Sequence, residues 1–143
     1  MSLLYVVIRI DDRLAAIPAG HVESVIELED IYPVPRAPAH VAGLAAMRSQ
    51  SLTVIDCRAA LGLAQSETCG ERAPVVSVGG HLYALRVDLV DDVLESRSEM
   101  QPVPGDYGPG WQRVGRGMIE SESGPLLILD VEALVAGLQK QAA

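Results

Sequence analysis

The stretch RLAAIPAGHVESVIE at residues 13–27 returns in altered form at residues 81–95 as HLYALRVDLVDDVLE. Five of the fifteen positions are identical: Leu14 and Leu82, Ala16 and Ala84, Val22 and Val90, Val25 and Val93, Glu27 and Glu95. The tripeptide PVP then recurs at 33–35 and 102–104, and a Gly followed 13 residues later by Asp recurs at 43–56 and 117–130. Three landmarks in one order, at offsets of 68, 69 and 74, indicate an internal duplication.

The duplication predicts how the chain is organised. Its two copies span roughly residues 1–63 and 72–143 of a 143-residue chain. A unit of this size buries too little surface to be stable alone. We therefore expect a single domain over residues 1–143, built from two small, similar subdomains that share a core.

Hairpin signals predict that the subdomains are made mainly of strands. LLYVVIRI (3–10) and RLAAIP (13–18) flank a turn at Asp11–Asp12, and APVVSV (73–78) and HLYALRV (81–87) flank Gly79–Gly80. SLTVID (51–56) and PLLILD (125–130) are further apolar strands. Residues 22–29 and 90–97 fit either a strand or a short helix that leads into one.

Each of the two apolar strands ends at an Asp that can cap a short helix. Asp56 precedes CRAALGL, which Gly62 can close, and Asp130 precedes VEALVAGLQKQ. In the second segment apolar residues recur on one helical face, at Val131, Leu134, Val135 and Leu138. These features predict a mainly β protein with short helices, including a C-terminal one, and a pair of small barrels.

Composition limits the classes of function. Hydrophobic residues make up 49% of the chain, with one Trp and no Phe, so the core is expected to be aliphatic. A net charge of −8 argues against nucleic acid and anionic membranes as partners. The N-terminal apolar run is too short to span a bilayer. Cys57 and Cys69 lack metal or redox spacing, which predicts idle thiols in a cytoplasmic protein.

The candidate chemical groups do not converge on an active site. His21, His40 and His81 have no metal-ligand spacing and are expected to be surface imidazoles. Asp88, Asp91 and Asp92 could form a metal site or an acid pair, although a solvated face is favoured.

The glycine-rich GDYGPG (105–110) before Trp111 lacks the Lys of a phosphate loop, and a mobile surface loop is favoured over a ligand lid. We expect no enzyme activity and no cofactor or metal. The alternative is a small acidic metal-dependent enzyme, or a ligand-binding barrel, that uses the three aspartates.

Arg48 is the unusual residue of VAGLAAMRSQSLTVID (41–56), a segment made largely of small and apolar residues. Counted from the glycines of the two copies, Arg48 falls opposite Glu122, where a turn is expected before an apolar strand. Physical arguments alone favour an ordinary surface arginine over an anchor for a partner protein.

The same segment resembles the signature of the chemotaxis coupling-protein family, CheW, in which Val-x-Gly and apolar residues lead to Leu-Arg-Gly and a Pro-Val-Ile-Asp strand. PVPRAP (33–38) and VDLVDDVL (87–94) are similar to further family segments. YVVIRIDDRLAAIP (5–18) resembles the opening hairpin, and GMI (117–119) with LILDVEAL (127–134) resembles the closing strand and helix.

The resemblance implies two five-stranded SH3-like barrels with a shared core and no catalytic activity. It implies an adaptor between the cytoplasmic tips of chemoreceptors and the regulatory domain of a CheA-type histidine kinase, in chemotaxis or related motility signalling. Barrel edges would supply the kinase contact. Val41, Gly43 and Arg48 match positions that the family uses near its partner-facing surfaces, so Arg48 becomes a predicted anchor.

The chain departs from the family pattern at four positions. Ala46 stands for the Asn before Leu-Arg, Ser49 for the Gly after it, and Thr53 for the Pro before Val-Ile-Asp. Ser24 occupies a position that is frequently acidic. These departures leave the receptor, the kinase and the pathway open, with swimming chemotaxis, pili and other motility as alternatives.

Overall fold

The computed structural model describes residues 3–47, 49–63, 71–122 and 124–137, and these residues form a mainly β protein. The strands are β1 (Leu3–Ile10), β2 (Arg13–Pro18), β3 (Val22–Glu27), β4 (Val41–Met47), β5 (Gln50–Asp56), β6 (Arg72–Val78), β7 (His81–Arg86), β8 (Leu89–Ser96), β9 (Gly115–Ser121) and β10 (Gly124–Leu129). The α-helices are α1 (Cys57–Ala60), α2 (Pro109–Val114) and α3 (Val131–Ala136), and 3-10 turns cover Ala19–His21 and Gly105–Tyr107.

The strands form two five-stranded sheets. Sheet A has the order β8-β1-β2-β10-β9, and sheet B has the order β3-β6-β7-β5-β4. Neighbours are antiparallel except for one parallel pair in each sheet, β2 with β10 and β7 with β5. The segments at 22–29 and 90–97, which periodicity left open, are strands β3 and β8.

The sheets do not follow the two halves of the sequence, because the halves exchange their hairpins. β1 and β2 of the first half lie at the centre of sheet A among strands of the second half, and β6 and β7 lie likewise in sheet B. The pairing registers agree when the sequence offsets are applied. Val7 pairs with Ala16 as Val75 pairs with Ala84, and β4 pairs with β5 as β9 pairs with β10.

Three apolar clusters fill the molecule. One lies within sheet A (Tyr5, Val7, Ala16, Ile119, Leu126, Ile128), and one lies within sheet B (Ala45, Leu52, Val54, Ala73, Val75, Ala84). A larger shared cluster takes the alternate residues of the same strands, such as Val6 and Ile8 of β1, because successive side chains of a strand point to opposite faces. The prediction of two small barrels with a common aliphatic core is confirmed.

The predicted helix caps are present. Asp56 accepts hydrogen bonds from the N–H groups of Arg58 and Ala59 (3.1 and 3.3 Å), and Asp130 accepts from the equivalent groups of α3. Helix α3 ends at Ala136, and Gly137 follows with φ of 70°. Leu138, which was expected on the apolar face, lies outside the described residues. None of the described helices is both long and apolar enough to cross a bilayer.

The glycine-rich stretch lies at the surface as expected, with Gly105, Asp106 and Pro109 exposed, but it forms a 3-10 turn and the start of helix α2. Trp111 lies in helix α2, with 3% of its surface exposed, and packs in the shared cluster. Pro109 is preorganised for the first turn of that helix, and Gly110 lies against the backbone of Leu61, where a Cβ would clash. A buried side chain in the core of the domain cannot act as a ligand lid.

One arginine connects the two capped helices. Arg113 of α2 donates from Nη1 to the carbonyl of Ala133 (2.7 Å) and from Nη2 to the carbonyl of Ala60 (2.5 Å). The two acceptors lie on α3 and α1, which follow the equivalent strands of the two sheets. Desolvation lowers the pKa of Arg113 from its ordinary value. The guanidinium therefore ties the two barrels together at their interface.

Candidate partner-binding surface

Two of the three residues predicted to bind partners lie on strand β4, an edge of sheet B. Val41 opens the strand, pairs with Ile55, and donates its N–H to the carbonyl of Pro38 (2.9 Å). Its side chain is half-buried against the shared cluster. Val41 therefore fixes the position of the edge strand more than it offers contact area.

Gly43 is buried and allows a close approach of the chain. Its φ is 152°, and a Cβ built on it would collide with the carbonyl of Tyr32 and with Ile31 Cγ2. The absent side chain lets Tyr32 bridge to the next residue of the strand, Leu44, by two backbone hydrogen bonds of 2.8 and 2.9 Å. Gly43 thus presents other side chains and contributes none of its own.

The side chains that Gly43 presents are apolar and exposed. Tyr32 is 64% exposed, Leu44 is 40% exposed, and Val34 of the Pro-containing segment is 39% exposed. We call these three residues the Tyr32 patch. Sequence reasoning did not single them out, although an aromatic residue next to PVP was a usable signal. Exposed aromatic and aliphatic groups of this kind are typical of protein contacts.

Arg48 lies outside the described residues, so its role as an anchor stays a prediction. The residues around it are described. Ser49 has a φ of 69°, in the left-handed region that favours glycine, and it occupies the position where the family pattern has Gly. Met47 pairs with Gln50 across the turn, and Glu122 lies in the equivalent turn between β9 and β10. The expected turn between the two strands is therefore present.

The open edges of the two sheets differ. In sheet A the gap between β8 and β9 is bridged by serines. Ser96 Oγ donates to the carbonyl of Glu120 (3.3 Å), and the N–H of Glu120 donates to Ser98 Oγ (3.0 Å). We call this gap seam A. The equivalent gap between β3 and β4 is seam B, where Leu28 replaces Ser96 and Ala46 replaces Glu120 at the repeat offsets.

Seam B contains a surface groove. It is lined by Ile26, Glu27, Leu28, Glu29, Asp30, Tyr32, Ala45 and Ala46. Three of these residues are acidic, and the described lining contains no Lys or Arg. Arg72, which pairs across the strands with Glu27, instead donates to the carbonyl of Val90 (3.1 Å). The groove is therefore apolar along its floor and negatively charged at its rim.

The aspartates that raised the possibility of an enzyme are separated by their contacts. Asp88 accepts from Arg58 Nε (2.9 Å) and Nη2 (2.5 Å) and from the N–H of Asp11 (3.0 Å). The hydrogen bonds from Arg58 hold the pKa of Asp88 below its usual range, and they raise the pKa of Arg58. Asp91 and Asp92 are exposed on β8.

No metal site emerges from these groups. Within residues 3–47, 49–63, 71–122 and 124–137, no group of three or more His, Cys, Asp or Glu side chains could hold a metal ion. Asp88 serves as a structural partner of Arg58 and is not a free ligand. The described residues give no support to the metal-enzyme alternative.

The remaining candidates are structural as well. Cys57 is a free, buried thiol, and burial raises its pKa, so it is chemically inert. Cys69 lies outside the described residues. His21 and His81 are exposed as expected, but His40 is partly buried, and its Nε2 lies 2.8 Å from the carbonyl of Val135. Within the described residues, the interior of each barrel is occupied by an apolar cluster.

Comparisons with known proteins agree with this architecture. The chemotaxis protein CheW of Rhizobium meliloti is 29% identical over 114 residues, which cover 78% of this chain and 73% of that protein. The chemotaxis protein CheW of Thermotoga maritima is 24% identical over 129 residues, with 88% and 83% covered. The crystal structure of the scaffolding protein TtCheW from Thermoanaerobacter tengcongensis superposes with a TM-score of 0.83 at 19% identity, covering 100% of this chain and 92% of that one.

A family model described as the CheW-like domain matches residues 4–139. The match includes both sheets, the shared cluster and the β4 edge. From the extent of this match, and from the two-barrel fold, we conclude that the chain belongs to the CheW-like domain family.

Proposed function

We propose that this chain couples the cytoplasmic tips of chemoreceptors to the regulatory domain of a CheA-type histidine kinase, and that it does so in the cytoplasm. Membership of the family makes it a scaffold of chemotaxis signalling without catalytic activity. The finer assignment concerns its partners and the surface that holds them.

The observation that carries the proposal is the β4 edge of sheet B. Gly43 holds the Tyr32 segment against the strand, and Tyr32 and Leu44 are exposed on it. Arg48 follows directly after Met47, the last residue of β4. A guanidinium next to exposed apolar groups is a common composition of binding hot spots, because its planar fork can bind a carboxylate or carbonyls in a bidentate manner.

Three residues therefore have proposed roles in partner binding. Arg48 is the anchor, Gly43 presents the Tyr32 patch, and Val41 fixes the start of the strand. An inert scaffold also fits the rest of the molecule, since the shared core and the Arg113 contacts tie both barrels into one body.

Charge reversal at Arg48 tests the proposal. A tagged wild-type chain should capture a CheA-type regulatory domain and a chemoreceptor cytoplasmic fragment encoded in the same genome. Arg48→Glu should lose at least one of these partners, because the anchor would repel the carboxylate it is proposed to bind. Arg97→Glu, an equal charge change on an exposed residue after β8, should retain both.

The outcomes separate the residue from the function. Unchanged capture by Arg48→Glu, with a thermal melt within a few degrees of wild type, would show that Arg48 is not an anchor. If the wild-type chain captures neither partner, the proposed coupling function is wrong. A melt that collapses in Arg48→Glu would point to a structural arginine instead.

A further inference from the structure

The backbone of Ala46 offers unused hydrogen-bonding groups at seam B. Leu44 directs its N–H and C=O away from β5, because both bond to Tyr32. Alternate residues of an antiparallel edge strand direct these groups to the same side, so those of Ala46 also point outward. Within the described part of the chain, no side chain or backbone group bonds to them, and Ala46 is exposed.

Seam A shows what these groups bind when the gap is closed. Glu120 occupies the position equivalent to Ala46 at the offset of 74. Its outward N–H and C=O bond to Ser98 and Ser96, while Met118 bonds to Gln101 as Leu44 bonds to Tyr32. The two seams therefore share one backbone geometry, and among the described residues side chains bond to these groups at seam A and not at seam B.

The charge at seam B selects the occupant. Glu27, Glu29 and Asp30 surround the groove, and its described lining has no basic residue. A second copy of this chain would be repelled, because the protein carries a net charge of −8 and has no cluster of Lys or Arg. A positively charged segment would instead be attracted to the rim.

We propose that seam B receives an extended, positively charged segment of a partner protein, which hydrogen-bonds to the outward backbone groups of Ala46. Alternate side chains of that segment would meet Ile26, Leu28 and Ala45, and the others would reach the acidic rim. The inference deepens the proposed adaptor function and rests on it for the partner's identity, but not for the presence of the groove.

A model peptide of alternating lysine and valine residues, labelled for fluorescence anisotropy, is the probe. It should bind the wild-type chain, while a peptide of alternating glutamate and valine should not. A lysine–glycine peptide of equal charge and length should bind more weakly, because glycine disfavours the extended strand and lacks apolar side chains. Equal binding of all three peptides would overturn the proposal.

Substitution at Ala46 separates strand pairing from simple charge attraction. Ala46→Pro removes the outward N–H without changing the charge, and proline is tolerated on the free side of an edge strand. It should weaken binding of the lysine–valine peptide roughly tenfold. Ala46→Val keeps the N–H and should bind like wild type. If Ala46→Pro binds the peptide as tightly as wild type, no strand is added at this seam.

Two matched sets of charge variants test the rim. The combined Glu27→Gln, Glu29→Gln and Asp30→Asn variant should weaken binding and reduce its salt dependence. The combined Glu95→Gln, Glu99→Gln and Glu120→Gln variant neutralises three carboxylates near seam A and should leave binding unchanged. Equal losses in both sets would mean that the peptide responds only to net charge, and the proposal would be wrong.

The peptide result and the function can fail independently. If the wild-type chain captures its kinase or receptor partner but does not bind the lysine–valine peptide, the inference is wrong and the proposed function stands. If the peptide binds with the predicted dependence on Ala46 but the wild-type chain captures neither the kinase domain nor the receptor fragment, the groove stands and the proposed coupling function is wrong. A change of oligomeric state in Ala46→Pro would identify a second copy as the occupant and overturn the proposal.

Discussion

Sheets A and B share the same strand order and the same pairing register, yet the gaps between their edge strands differ. At seam A two serines bond to the outward backbone of Glu120. At seam B, Leu28 and Asp30 occupy the positions of the two serines and Ala46 that of Glu120, and an acidic groove remains. A duplicated backbone thus sets where an edge lies, and a few side chains decide whether that edge is closed by the chain itself or left for a partner.

The two halves also differ in helix α2, which lies in the second half and has no counterpart in the first. Its segment accounts for the rise of the repeat offset from 69 to 74. Trp111→Ala should lower the free energy of unfolding by about 3–5 kcal/mol, because it leaves a large cavity in the shared cluster. Urea titration followed by far-UV circular dichroism measures the change. Both sheets should unfold in one transition, and a loss below about 1 kcal/mol would mean that α2 is peripheral.

Equivalent glycines on the two edge strands sharpen the comparison. Gly43→Ala should cost about 3 kcal/mol, because its Cβ would meet the Tyr32 backbone at a φ that suits glycine. Gly117→Ala should cost about 1–2 kcal/mol: its closest contacts are with the side chain of Met100, which is 48% exposed and can move, but its Cβ would also meet the backbone carbonyl oxygen of Gln101 at 2.8 Å. Equal decreases in the melting temperature of the two variants would show that neighbouring chain packs equally closely against both edge strands.

The ion pair between Arg58 and Asp88 has no equivalent in the repeat, because the corresponding positions hold Glu132 and Gly20. Arg58→Ala should destabilise the protein by about 1–2 kcal/mol near neutral pH. The lowered pKa of Asp88 means that this stability is present above the unfolded pKa, roughly pH 4, and is lost as the pH falls through the folded pKa.

Unfolding titrations of wild type and Arg58→Ala at several pH values check that sign. The difference between the two proteins should shrink on acidification. Arg97→Ala, on an exposed residue, should show a smaller difference without this trend. If the difference in stability between wild type and Arg58→Ala grows as the pH falls, the stabilising role assigned to the Arg58–Asp88 ion pair is wrong.

The smallest expected effect concerns seam A itself. Ser98→Ala should cost about 0.5–1.5 kcal/mol, because it removes the acceptor for the N–H of Glu120. Hydrogen exchange of the Glu120 amide should become faster. Asp30→Ala, in the corresponding stretch of seam B, should leave stability nearly unchanged, because its side chain is exposed and makes no hydrogen bond within the described structure. Unchanged exchange in Ser98→Ala would mean that the seam is closed by other contacts.

Local signals in the sequence were sufficient for most of the fold. The alternation of β1, the turn residues at Gly79–Gly80 and the capping Asp56 and Asp130 act on neighbours in the chain, so their patterns predicted strands, hairpins and helix starts. The exchange of hairpins was not predicted, because β2 and β10 pair across more than a hundred residues. Strand periodicity carries no information about such distant partners.

The candidate surface was less accessible from sequence. The resemblance pointed to Val41 and Gly43, but the exposed groups are Tyr32 and Leu44, which depend on how a loop crosses the strand. Helix α2 was not predicted after the glycine-rich stretch, because glycine and proline occur in surface turns as well as where a helix packs closely against another backbone. The unpaired groups at Ala46 depend on the direction of the N–H and C=O of one residue, which composition does not encode.

The hairpin exchange has a consequence for synthesis on the ribosome. When the first half has emerged, strands β3, β4 and β5 are present without the two central strands of their sheet, and β1 and β2 lack the neighbours that flank them. Neither sheet can be completed until the second half is made. A nascent chain that stalls midway would therefore expose unpaired strand edges to chaperones and proteases. For the same reason, a gene that lost either half would encode two incomplete sheets.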